Sequence, residues 1–152
     1  MGRVARGVIG VKLTGDDEVV TIEIVDTEAT MMAITENGYG KRTGFDEYRV
    51  QSRGGKGIIS IKTTERNGKV VSAHAVTDEH RLMLISEGGQ MICIGASDLR
   101  VIGRNTQGVR LVNLKEDDKL VSAAVLEPEE DDPEDVIDEI PETESVPEIP
   151  EE

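Results

Sequence analysis

An all-β fold of repeated, short antiparallel strands follows from two features of the sequence. Landmarks recur with a single period of about fifty residues, and no window longer than about ten residues carries a good 3.6-residue apolar period. Three segments align. Gly2-Arg3-Val4-Ala5-Arg6-Gly7-Val8-Ile9 leads to Val19-Val20, Arg53-Gly54-Gly55-Lys56-Gly57-Ile58-Ile59 leads to Val70-Val71, and Gly103-Arg104-Asn105-Thr106-Gln107-Gly108-Val109 leads to Leu120-Val121. Gly7, Gly57 and Gly108 lie in one phase, as do the three apolar pairs, and Glu36-Asn37-Gly38-Tyr39 matches Glu87-Gly88-Gly89-Gln90.

Each period reads as four strands, which in the middle unit are Gly57–Lys62, Val70–Val76, Arg81–Ser86 and Gln90–Ile94. Asn67-Gly68 and Gly88-Gly89 are hairpin turn signals, because both central positions of a tight two-residue hairpin need positive φ. Four antiparallel strands per period mark a propeller-like array. Two full periods at most and a partial third leave that array unclosed, so either its open edges need a partner or, the favoured reading, the chain is a piece of a longer one.

Charge and punctuation divide the chain at one place. Residues 127–152 hold fourteen of the 31 Asp and Glu and no Lys or Arg, so the other 17 acids balance the 17 basic residues of 1–126. The formal net charge of −14 therefore belongs to the last segment alone. All 16 Gly precede residue 109 and all five Pro follow residue 127. The body at 1–126 should fold, whereas 127–152 has too little apolar surface to offset the entropy of ordering it and should be a disordered acidic tail. Its carboxylates, flexibly tethered, could compete with an anionic ligand for the body's cations or simply solubilise the protein.

Chemistry is sparse elsewhere. Cys93, the single cysteine, reads as a small buried thiol within Met91-Ile92-Cys93-Ile94. His74 and His80 form no metal-ligand pattern with it and read as satisfied strand or surface residues. Asp16-Asp17 and Asp117-Asp118 fall at turns, where solvation accounts for them. No nucleophile, base and orienter come together, and no metal or cofactor is expected. There is no cationic-then-apolar leader, and no apolar stretch approaches the roughly 18–20 residues that span a bilayer. The expected setting is the cytoplasm.

The most specific local feature is Gln51-Ser52-Arg53-Gly54-Gly55-Lys56-Gly57. Glycines let a backbone approach a bulky polyanion, and exposed amides beside Arg53 and Lys56 can hold phosphate oxygens. It is no nucleotide-hydrolase phosphate loop, since Gly57 stands where Ser or Thr must follow the Lys. Cations recur in the same phase at Arg3, Arg6, Arg104 and Arg110, with Lys41 and Arg42 placed in a loop after Tyr39-Gly40. Cations that repeat with the fold period line one rim, which suits contacts to a bent duplex. A Gly-rich turn among ordinary solvated charges is the alternative. Phe45, Tyr39 and Tyr48 are too few to stack single-stranded bases. Phe45 and Tyr48 read instead as a staple on the loop before the turn.

Gln51–Gly57 resembles the seven-residue box of the C-terminal domain of bacterial DNA gyrase A proteins, with Ser52 where that box has a second basic residue. Thr35-Glu36-Asn37-Gly38-Tyr39-Gly40-Lys41-Arg42-Thr43, Lys62-Thr63-Thr64-Glu65-Arg66-Asn67-Gly68 and Ile102–Val109 resemble its later blades. The resemblance implies a β-pinwheel of about six four-stranded blades that wraps double-stranded DNA on a basic rim. It makes 1–126 the last two to three blades and 127–152 the acidic tail that is common there. The flanks resemble a late blade, whereas the functional box belongs to the first, so Gln51–Gly57 is either that box or a near-copy. Partners implied are DNA, the rest of gyrase A, and gyrase B. Intact gyrase uses ATP and Mg to introduce negative supercoils, but the breakage tyrosine and the ATPase are placed outside this segment, so this chain alone is no enzyme. The matching domain of topoisomerase IV, and a protein-interaction propeller whose acidic tail recruits basic partners, are the other readings.

Overall fold

The computed structural model describes residues 2–128. The acidic tail expected from residue 127 lies, apart from Glu127 and Pro128, outside the described residues. Seven strands form two antiparallel sheets: β1 (Thr30–Thr35), β2 (Tyr39–Gly44), β3 (Val70–Val76), β4 (Arg81–Ser86), β5 (Met91–Gly95), β6 (Val109–Arg110) and β7 (Leu120–Leu126). Helix among the described residues is confined to two single 3-10 turns, Phe45–Glu47 and Ala96–Asp98. The all-β architecture, the antiparallel pairing and three of the four expected middle strands agree with the sequence reading.

The partnering of the strands differs from it. Strand order is β3-β1-β2-β6 in one sheet and β5-β4-β7 in the other. One sheet therefore takes its central hairpin, β1–β2, from the first repeat, β3 from the second and β6 from the third. The second sheet repeats the scheme, with hairpin β4–β5 from the second repeat and β7 from the third. A period supplies strands to successive sheets, so a blade is not a contiguous stretch of chain. Gly57–Lys62 forms no strand. Its phase becomes β6 only in the third repeat, where a hairpin two repeats earlier offers an edge. Val19–Val25 shares the phase of β3 and β7, yet among the described residues it pairs with no strand, and Ile22 and Ile24 are 92% and 87% exposed.

The core lies between the sheets. Alternation along β4 turns Leu82 and Leu84 inward, where they meet Met32 and Ile34 of β1, Val76 of β3 and Leu120 and Ala123 of β7. The edge strands β3 and β7 pack together, and β6 lies on the opposite edge of its sheet. Both hairpin turns carry positive φ at one glycine, Gly38 (81°) and Gly89 (80°). At Asn67-Gly68 only Gly68 is positive (76°), because this turn precedes β3 without joining two strands. Asn67 is fully buried there. Its Oδ1 accepts from the Thr64 amide at 2.7 Å, and its Nδ2 donates to the carbonyls of Lys62 and Gln107 at 2.9 and 3.1 Å, tying the turn to the third repeat.

Asp117-Asp118 is more than a solvated turn. Asp117 adopts positive φ (64°), while Asp118 accepts from Ser86 Oγ at 2.6 Å and from the Gly88 amide at 2.8 Å. The Ser86 hydroxyl and the Gly88 and Lys119 amides hold the Asp118 carboxyl below its usual range. Cys93 is half-buried and unbonded to another cysteine. His74 bonds to the Ala123 carbonyl and His80 accepts from the Thr77 amide.

Candidate nucleic-acid interface

Segments that connect the repeats run side by side and carry the candidate cations. Val11 and Gly55 form a parallel bridge, with the Gly54 amide donating to the Gly10 carbonyl and the Lys12 amide to the Gly55 carbonyl, both at 2.8 Å. One repeat later the Lys62 amide donates to the Thr106 carbonyl at 2.9 Å. The Gly54 amide is thereby consumed inside the protein and, contrary to the expectation for the amides of this turn, is not free to donate to an anion. Gln51, Arg53, Lys56 and Gly57 remain exposed around this turn, with Gly54 and Gly55 partly covered. At Gly57 a Cβ would meet nothing, so its φ of 77° is what requires glycine. Arg3 and Arg6 are exposed too, and among the described residues none of Arg3, Arg6, Arg53 and Lys56 joins an ion pair.

The aromatic staple extends across the turn. Phe45 and Tyr48 rings lie 6.2 Å apart, and the Tyr48 hydroxyl meets Ser60 Oγ at 2.6 Å, beyond the glycines. Arg104 bears on the same place, with its guanidinium 6.0 Å from the Tyr48 ring centroid and Nη1 donating to the Ile59 carbonyl at 2.8 Å. Arg110 sits exposed on β6 opposite Tyr39.

Lys41 and Arg42 are corrected by the structure. They lie in strand β2, not in a loop, and are 1% and 4% exposed. Successive side chains on a strand point to opposite faces, and β2 is covered on both. Lys41 Nζ donates to the carbonyls of Gly103 and Arg104. Arg42 turns the other way, to Thr30, Asp78 and the Ala96 carbonyl. Both cations hold the protein together and neither offers its charge to a ligand.

Burial pushes the Lys41 ammonium down to about 8, with the nearby Arg104 charge adding to the effect. An unfolded lysine stays protonated to about 10.4, so between about pH 8 and 10.5 the unfolded chain binds the extra proton and stability attributable to Lys41 rises with pH. Urea denaturation of the native chain and of Lys41→Met at about pH 7.5 and pH 10 measures this. The stability difference should move in favour of the native chain at the higher pH, by on the order of 1 kcal/mol, and a pH-independent difference would contradict it.

Sequence reasoning missed Arg66. It is exposed, and its guanidinium lies 5.1 Å from the Tyr39 ring centroid, beside Arg110 at 5.3 Å. The available signal was that Arg66 occupies the phase of Glu116 in the next repeat, a cation where an acid stands.

Strands exchanged between fifty-residue repeats, with cations on the connecting segments, define a propeller-type array of the pinwheel kind. The match to known proteins is more specific. A family model described as the DNA gyrase C-terminal domain, beta-propeller, matches residues 1–26, 29–77 and 80–127, and the chain belongs to that family. It is 48% identical to the DNA gyrase A protein of Salmonella typhimurium over 91% of this chain, and 47% identical to that of Chlamydia pneumoniae over 88%. It spans only 16% of the length of each of these relatives. A solved DNA gyrase A C-terminal domain superposes with a TM-score of 0.72 at 30% identity, covering 79% of this chain and 41% of that one. The C-terminal domain of DNA topoisomerase IV superposes with the same TM-score of 0.72 at 19% identity, covering 78% and 37%, which is a likeness of fold.

Proposed function

We propose that this chain is a DNA-binding and DNA-wrapping part of a type II DNA topoisomerase, within gyrase A, and that it supports ATP-dependent negative supercoiling by the assembled enzyme. The observation that carries this reading is the set of exposed cations on the paired connecting segments, Arg3, Arg6, Arg53 and Lys56, none of them in an ion pair among the described residues. Arg104 and Arg110 extend the set, each with part of its guanidinium engaged. Neutralising backbone phosphates needs no base readout, and counterion release makes such binding steeply salt-dependent. Strand breakage and ATP hydrolysis are assigned to the rest of gyrase A and to gyrase B, the partners in the complete enzyme, working in the bacterial cytoplasm. No helix of the described residues is long and apolar enough to cross a membrane.

The test is a titration of a linear duplex of about 150 base pairs, one persistence length, across a salt series. The native chain should bind with a steep inverse salt dependence. Arg53→Gln with Lys56→Gln should flatten the slope of log K against log salt by about 1–2, since each phosphate contact contributes about 0.9. Equal slopes for the two proteins would refute the role of the Gly-rich turn.

A further inference from the structure

We propose that Arg66, Tyr39 and Arg110 form a preorganised clamp for one backbone phosphate, at the outer edge of the β3-β1-β2-β6 sheet. This rests on the DNA-binding reading above and adds one contact to it.

Three separate pieces of chain bring the residues together. The β2–β6 register sets Tyr39 directly opposite Arg110. Asn37, in the β1–β2 turn, donates through Nδ2 to the carbonyls of Glu65 and Arg66 at 3.1 and 3.3 Å and so pins the Arg66 backbone above the hairpin. Tyr39 is 3% exposed and packed, so it supplies a fixed base. Its hydroxyl oxygen is the shared acceptor: Arg110 donates from Nη2 at 2.7 Å and Nε at 3.2 Å, and Arg66 from Nε at 3.2 Å.

Two guanidinium groups held over one phenol repel each other, and a structural role would be met by one arginine with a carboxylate. Among the described residues neither Arg66 nor Arg110 joins an ion pair, and both are exposed. Arg110 Nη1 reaches Asn113 Oδ1 at 3.1 Å, a neutral acceptor. Arg66 bonds through Nε alone, and Asp118, which lines the neighbouring cleft with Arg110, is already held by Ser86 and Gly88. Two exposed guanidinium groups with no carboxylate paired to either are available to an external anion, and planar forks suit phosphate oxygens. The Arg110 and Arg66 donors also lower the Tyr39 hydroxyl from its ordinary range. The equivalent place in the second sheet carries Gln90 for Tyr39 and Glu116 for Arg66, so the clamp belongs to one blade.

The experiment uses the full chain in the same duplex titration, with Arg66→Gln/Arg110→Gln, Arg66→Lys/Arg110→Lys and Tyr39→Phe, each checked for folding by circular dichroism. The glutamine pair should weaken binding about tenfold and flatten the salt slope by about 1. The lysine pair keeps the charge but not the forks, and should still weaken binding about threefold. Tyr39→Phe keeps both arginines and loses their shared acceptor, with a loss of similar size. A second arm titrates inorganic phosphate while the Nε–Hε NMR signals of Arg66 and Arg110 are followed, expecting shifts in the native chain that vanish in Tyr39→Phe. Native DNA affinity in the glutamine or lysine pair overturns the clamp while leaving the DNA reading intact. Absence of DNA binding by the native chain, with the phosphate shifts present, overturns the DNA reading and leaves an anion site. Neither DNA binding nor phosphate shifts overturns both.

Discussion

Gly108→Ala should lower the stability of the chain by about 3–4 kcal/mol, a large part of the roughly 5–15 kcal/mol that holds a domain. Two costs coincide at this residue. Its φ of 77° is left-handed, which costs an L side chain about 1–2 kcal/mol. An added Cβ would also stand 2.5 Å from the Gly40 carbonyl oxygen and 2.9 Å from its carbon, both backbone atoms that no rotamer can move away. β6 would have to leave β2, breaking the Tyr39–Arg110 and Gly40–Val109 pairs. The Leu111 amide bond to the Gly38 carbonyl and the buried Val112 follow in sequence, so part of the core is pulled with it. Gly57→Ala is the control. It has the same φ and the same phase in the repeat, but open space around its Cβ, so it should cost only the conformational part, about 1–2 kcal/mol. Thermal unfolding of both variants separates the terms, and equal losses would show that the close approach of β6 to β2 contributes nothing.

That comparison also marks what the sequence could disclose. Gly7, Gly57 and Gly108 were legible as one landmark because a positive φ is a local demand, and all three meet it at 87°, 77° and 77°. β3, β4 and β5 were legible for the same reason, since alternation and flanking turns are local. Pairing between repeats was not. Gly57-Ile58-Ile59-Ser60-Ile61-Lys62 has a strand's composition, but a strand exists only where another edge is free to take it. This stretch pairs with no strand, whereas Val109-Arg110 finds β2. Exposed cations at Arg3, Arg6, Arg53 and Lys56 were legible because a charge on a Gly-rich connector defaults to solvent. The buried fate of Lys41 and Arg42 was hidden because carbonyls from Ala96 to Arg104, more than fifty residues later, create it. The Arg66 clamp was hidden likewise, since it needs Asn37 and β6 to bring three segments to one phenol.

Replacing Arg42 tests whether an apparent surface cation is a structural one. Its side chain spans the sheets: Nε donates to Thr30 Oγ1 at 2.9 Å in β1, and Nη1 to the Ala96 carbonyl at 2.7 Å just after β5. Nη1 also lies 2.6 Å from Asp78 Oδ1, and this ion pair is lopsided, with the arginine side chain 5% exposed and the aspartate 76%. An exposed carboxylate is well solvated without a partner, so Asp78→Ala should cost no more than about 1 kcal/mol. Arg42→Met should cost about 3 kcal/mol, because the buried Ala96 carbonyl and the half-buried Thr30 hydroxyl both lose a charge-assisted donor. Arg42→Lys should recover little of this, since one ammonium cannot reach acceptors set for a fork. Urea unfolding of the three variants gives the answer. Equal losses for Arg42→Met and Asp78→Ala would make the ion pair the source of stability. The unequal losses expected here would place it in the hydrogen bonds joining the two sheets, and would remove Arg42 from any account of DNA contact.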